Sequence, residues 1–169
     1  MLLLVDLQQR LMPAISGGDA VVANADRLAT AAPMFDVPVV ATEQNPAGLG
    51  PTVDALAGHP RTVLSKTAFA ATSDPGFDTL LPPGTEHVVV AGCEAHVCVL
   101  QTVLGLLAAR HRVLVVTDAV GSRTAANREA ALDRLARHGA ELVTTEMVLF
   151  EWLRDATHPR FREVQALIR

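Results

Sequence analysis

Six short apolar runs rich in β-branched residues punctuate the chain, at residues 2–5, 37–41, 62–64, 87–91, 113–117 and 142–144. None alternates strictly between apolar and polar residues, so each would present apolar side chains on both faces of a strand. That is the pattern of strands covered on both sides, and the segments between them are long enough to cross over as helices. A half-wetted antiparallel sheet would need the alternation that is missing here. The expected fold class is therefore α/β, with a mainly parallel six-stranded sheet flanked by helices.

Residues 20–35, 97–110 and 125–138 carry apolar side chains at helical spacing, with Leu28, Leu132 and Leu135 on the core side, and are the expected crossover helices. Gly139 follows the last of them where a left-handed residue belongs, and Ser122 or Thr124 opens it as N-cap. The stretch 45–60 holds three Pro and three Gly, and 73–84 holds three more Pro. Both read as irregular loops with short helices at most, placed to act as a lid. Residues 147–169 read as one or two helices broken around Pro159. No repeat, charge block or low-complexity linker divides the chain, so residues 1–169 are expected to form a single domain.

Half the residues are hydrophobic and 19% are charged, which excludes a disordered chain. A net charge of -4, only 4% aromatic residues and no Tyr offer neither a basic field nor stacking platforms, so no nucleic-acid partner is expected. The apolar opening ends at Asp6, too soon for a signal peptide or a membrane span, so a cytoplasmic location without a membrane partner is expected. Cys93 and Cys98 lie within one segment and read as thiols, since a disulfide framework spreads its cysteines. Thirteen Arg accompany a single Lys, which makes Lys66 an outlier.

In an open parallel sheet, ligands bind beyond the carboxyl ends of the strands, so polar residues just after an apolar run carry the most information. Asp6 follows the first run, Lys66 follows the third by two residues, and Cys98 opens the helix after the fourth. On neighbouring strands all three would converge. A thiol becomes a useful nucleophile beside a base, a cation or a helix N-terminus, and Cys98 would have all three. Asp6 would take the thiol proton and return it to a leaving amine, while Lys66 would stabilise negative charge. An ammonium suits that place because its proton affinity responds to burial, whereas a guanidinium stays charged. Gly92 lets the turn before Cys98 aim backbone amides inward as an oxyanion hole.

Each residue also has an ordinary explanation. An Asp at a strand end commonly caps a turn, a Cys at a helix start is commonly a small core residue, and a Lys is commonly solvated. Cys93, His96 and Cys98 lack the spacing of a metal site, so no metal is expected there. His59, His111, His138 and His158 read as surface or loop histidines. Asp118 either enters the site or orders the turn before the next helix.

The segments LLLVDLQ, ATEQNPAGLGPT, SKTAFAAT, VVVAGCEAHVCVLQT, VVTDAVGSRT and TTEMVLFEWL together resemble the isochorismatase-like cysteine hydrolases, most specifically through GCEAHVCV. The likeness runs from Met1 almost to the C-terminus and is strongest to the isochorismatase domain-containing branch, whose substrates are largely undefined. It implies a three-layer Rossmann-like fold and a catalytic triad, whose roles fall on Asp6, Lys66 and Cys98. It further implies a cis peptide between Cys93 and Glu94, and an oxyanion hole made by the amides of Glu94 and Cys98.

Departures from the family narrow the reading. Metal-dependent nicotinamidases carry Asp-x-His-Pro where this chain reads Glu43, Gln44, Asn45, Pro46, so the histidine ligand is missing and neither a catalytic metal nor any other cofactor is expected. Glu43, Gln44 and Phe69 are candidate pocket residues; Phe77 and Trp152 are further aromatic candidates, within the chain or across a subunit interface. True isochorismatases lack the nucleophile, and Cys98 argues against their vinyl-ether hydrolysis. Asp6 lies only five residues in, so the first strand is expected to be slightly shortened. The expected function is a metal-independent cysteine hydrolase cleaving a C–N bond of a small amide-type substrate through an acyl-enzyme on Cys98. The alternatives are a non-catalytic binding or scaffold protein of the same fold and a redox pair of Cys93 with Cys98. Apolar Met147, Leu149, Phe150, Trp152 and Leu153 near the C-terminus make a homo-oligomer the expected assembly.

Overall fold

The structure is a computed structural model and describes residues 1–168. Its strands are β1 (Leu2–Val5), β2 (Val39–Gln44), β3 (Val63–Lys66), β4 (His87–Cys93), β5 (Arg112–Gly121) and β6 (Glu141–Val143), arranged β3-β2-β1-β4-β5-β6 with every neighbouring pair parallel. This is the doubly wound order in which the winding direction reverses between β1 and β4, opening a crevice at their carboxyl ends.

Each of the six expected runs became a strand, and four, β2 to β5, extend beyond the carboxyl end of the apolar stretch. In β2 the polar Thr42, Glu43 and Gln44 continue the ladder because β3 pairs with them, Gln44 opposite Lys66. Strand β4 reaches Cys93, and β5 spans Arg112–Gly121, shifting register against β4 between Val90 and Gly92. Ladder partners set these limits, so apolarity underestimates them.

Side chains of β1 divide by parity. Leu2 and Leu4 enter a core shared with helices α1 (Gly18–Ala31), α6 (Thr145–Leu153) and α7 (Phe161–Leu167), while Leu3 and Val5 face the core of α4 (Leu100–Ala108) and α5 (Ala125–Arg137). The result is three layers. Fully burying each of these leucines stabilises the fold by roughly 1.5–3 kcal/mol relative to exposure.

Helix ends follow local chemistry. Pro33 converts the end of the first expected helix into a 3-10 turn, Ala32–Phe35. Thr124 is the N-cap of α5, its hydroxyl accepting from the Asn127 amide, and Gly139 adopts φ +96° after it. The stretch 45–60 contains only the one-turn helices α2 (Pro46–Leu49) and α3 (Asp54–Ala57), and 73–84 only a 3-10 turn at Phe77–Thr79 beyond the end of another at Ala71–Ser73. Helix α6 starts before the expected residue 147 because Thr144 caps it and Asp118 Oδ1 accepts from both the amide and the hydroxyl of Thr145. Asp118 thus anchors α6 instead of ordering the turn before α5. Two helices, α6 and α7, do flank Pro159; residue 169 lies outside the described residues. Among the described residues, no helix is long and apolar enough to cross a membrane.

Candidate active site

Asp6 leaves β1 in the left-handed region, φ +50°, which a short polar side chain tolerates. Its amide still donates to the Thr42 carbonyl, so the carboxylate is set at the carboxyl edge of the sheet. There Oδ2 meets Lys66 Nζ at 2.8 Å, with neither side chain exposed, and Oδ1 accepts from the Thr42 hydroxyl at 2.6 Å. Lys66 also donates to Gln44 Oε1 at 2.9 Å and to the carbonyls of Ala68 and Phe69 at 3.3 and 3.5 Å. An ion pair taken out of water loses hydration on both sides, and these extra partners replace it.

Gly92 makes this juxtaposition possible. It adopts φ +133°, and a Cβ there would fall 2.0 Å from the Val5 carbonyl oxygen, so β1 and β4 approach this closely only with glycine at that place. Beyond β4 the Cys93–Glu94 peptide is cis, as the family resemblance implied. The chain then forms a π-helical turn, Ala95–Val99, that runs into α4. Cys98 sits in that turn, almost buried, its sulfur interacting with both Asp6 and Lys66. The three residues marked by the sequence therefore meet.

Electrostatics revise one expectation. Burial first, and then the Asp6 carboxylate, raise the Cys98 thiol to about 12, with Lys66 only partly opposing them. These influences favour the protonated thiol and work against the thiolate that the cation and helix end were expected to favour.

The candidate pocket residues have different places. Gln44 belongs to the Lys66 network and also donates to the Thr67 carbonyl at 2.7 Å. Phe69 is 53% exposed at the rim, directly after the Lys66 segment. The Glu43 carboxylate is occupied by the amide and hydroxyl of Thr52, at 2.7 and 2.8 Å, and so fastens the 45–60 loop. Phe77 is buried in the α4 and α5 core, and Trp152 stacks near Phe35 with ring centroids 6.0 Å apart. A groove of about 850 Å³ between α1 and α3 contains none of the triad. Of its carboxylates Asp19, Asp26 and Asp54, the last two are paired with His59 and Gln9, and no nucleophile lines it, so the convergent chemistry marks the sheet edge instead.

Sequence reasoning missed three residues. Thr42 orients Asp6. Gln8, fully buried, bridges the Gln44 backbone and the Gly50 carbonyl. Arg123 bonds Glu94 from the β5 side. The first two lie just after apolar runs, where polar residues carry information, but share that place with other polar residues; Arg123 carried no such mark. Cys93 and Cys98 belong to cores on opposite faces of the sheet, and both are free thiols, an arrangement that does not favour the redox-pair reading. Among the described residues, no three His, Cys, Asp or Glu side chains gather as a metal-binding group.

The profile of the isochorismatase domain matches residues 1–147. The chain belongs to the isochorismatase-like hydrolase family. Isochorismatase domain-containing protein 2A of Mus musculus is 38% identical over 170 residues, spanning 99% of this chain and 82% of its own. Among solved structures, the MAR1 ribonuclease of Caenorhabditis elegans is 38% identical, with a TM-score of 0.92 over 99% of this chain and 88% of that one. The YcaC gene product of Escherichia coli, described as an octameric hydrolase of unknown specificity, is 26% identical, with a TM-score of 0.84 over 98% and 91% of the two chains.

Proposed function

We propose that this chain is a cysteine hydrolase that cleaves a C–N bond of a small amide-type substrate without a metal or other cofactor. The observation that supports it most is the buried Asp6–Lys66 pair against the Cys98 thiol. Asp6 accepts the thiol proton as sulfur attacks the carbonyl carbon and the S–C bond forms. The amides of Glu94 and Cys98 donate to the oxyanion, and Lys66 balances charge around Asp6. Collapse breaks the C–N bond, Asp6 protonates the departing nitrogen, and the amine leaves. Water then attacks the thioester, gives its proton to Asp6 and releases the acid, after which Asp6 returns the proton to sulfur. Gln44 and Phe69 border the site as pocket residues, and residues 1–169 work as one domain.

The test incubates the chain with a panel of small primary amides and carbamoyl compounds. Amine release and an acyl adduct on Cys98, both absent in Cys98→Ala, support the reading. Binding without turnover favours the alternative, a non-catalytic binding or scaffold protein. An RNA arm belongs in the panel because the Caenorhabditis elegans relative is named a ribonuclease, although 18 acidic residues against 14 basic ones do not favour a polyanion here. We further propose a homo-oligomer, following the octameric relative and the exposed Met147 and Phe150, to be read by light scattering.

A further inference from the structure

The turn that carries the amides of Glu94 and Cys98 is tied to the loop after β5 at two places. Glu94 Oε2 accepts from both the backbone N and the Nε of Arg123, each at 3.0 Å, and His96 Nδ1 lies 3.0 Å from Ser122 Oγ. Ser122 is itself buried, its carbonyl accepting from the Ser16 amide. The Glu94 carbonyl accepts from the amides of Val97 and Val99, so this one residue is held through both main chain and side chain.

The same arrangement creates an electrostatic difficulty. The Glu94 carboxylate is only 10% exposed, and, after burial, its charge is one of the influences that raise the Cys93 thiol next to it. An oxyanion forming at the Glu94 amide would be repelled by that carboxylate unless a cation cancelled it. Arg123 is the cation bonded to it.

We infer that Arg123 is a positioning residue whose ion pair with Glu94 both holds the oxyanion-binding turn in place and cancels the carboxylate's charge beside it. This rests on the cysteine hydrolase reading above. Two reagents separate the effects. Acylation of Cys98 by p-nitrophenyl acetate forms an S–C bond through a tetrahedral oxyanion and expels p-nitrophenolate, with the thiol proton taken by Asp6. Alkylation by iodoacetamide forms an S–C bond and expels iodide, with no oxyanion at any stage.

Both rates are to be measured at one pH in the unaltered chain, Arg123→Ala, Arg123→Lys, Glu94→Gln and Arg123→Ala/Glu94→Gln. Arg123→Ala is expected to slow acylation by on the order of 10- to 100-fold while alkylation keeps its rate. Arg123→Lys retains the cation and falls between, which preserves the test should the alanine variant not fold. Adding Glu94→Gln to Arg123→Ala restores part of the loss, because the uncompensated carboxylate is gone. Unchanged acylation in both Arg123 variants, alkylation falling in parallel with acylation, or a double variant slower than Arg123→Ala overturns the inference. An unaltered chain that is alkylated but never acylated removes the hydrolase reading itself, and the inference with it.

Discussion

Lys66 Nζ and Asp6 Oδ2 lie 2.8 Å apart with neither side chain exposed, although sixty residues separate them in the chain. Removing one partner leaves the other charge buried without its counterion. Lys66→Met is therefore expected to lose about 3–5 kcal/mol of stability in urea denaturation. Asp6→Asn/Lys66→Met should recover most of it while remaining inactive. A loss below about 1 kcal/mol in the single variant would place this pair with weakly contributing surface bridges.

The Asp6 carboxylate disfavours the Cys98 thiolate. Asp6→Asn, which keeps Lys66, should move the midpoint of Cys98 alkylation to lower pH and abolish amide turnover, because the proton acceptor is lost. Peptide mass spectrometry across a pH series reads the midpoint. A midpoint that stays in place would show that the carboxylate does not act on the thiol.

Burial above all, opposed by the Gly121 amide and aided by the charges of Glu94 and Asp6, raises the Cys93 thiol from 9.0 to about 12. A group with a raised folded value gives stability that is complete below its unfolded value and lost as pH climbs towards the folded one. Between about pH 9 and 12, the unaltered chain should lose about 1.4 kcal/mol per pH unit more than Cys93→Ala. Paired denaturation curves at several alkaline pH values test this, and parallel pH profiles would contradict it.

Gly92→Ala would put a Cβ 2.0 Å from the Val5 oxygen at φ +133°. Separation of β1 from β4 is the expected result, with a loss above about 3 kcal/mol and no acylation of Cys98. Wild-type melting would mean that the strands can shift apart without cost.

Thr42→Val keeps the shape but removes the hydroxyl from Asp6 Oδ1. The buried carboxylate then lacks one donor, at about 1–3 kcal/mol. Thr42→Ser should retain most of that stability in the same denaturation series.

The strands were legible because burial on both faces writes itself as uninterrupted apolar runs, and Asp6, Lys66 and Cys98 stood out as polar or reactive breaks after them. Thr42 and Gln8 were less legible, since a hydroxyl at a strand end or an amide just beyond a strand has many uses. Arg123 was illegible among thirteen arginines, because its significance lies in touching Glu94 across a loop.

By itself, the sequence determined the fold class, the succession of strands and helices, and the identity of the polar residues at the strand ends. These depend on local periodicity and on which side chains favour burial. Only the tertiary structure decided that β1 lies between β2 and β4, that Asp6 thereby meets Lys66 and Cys98, and that burial and Asp6 together raise the Cys98 thiol. Strand order, desolvation and charge pairing arise from contacts between residues far apart in the chain, which no local pattern encodes.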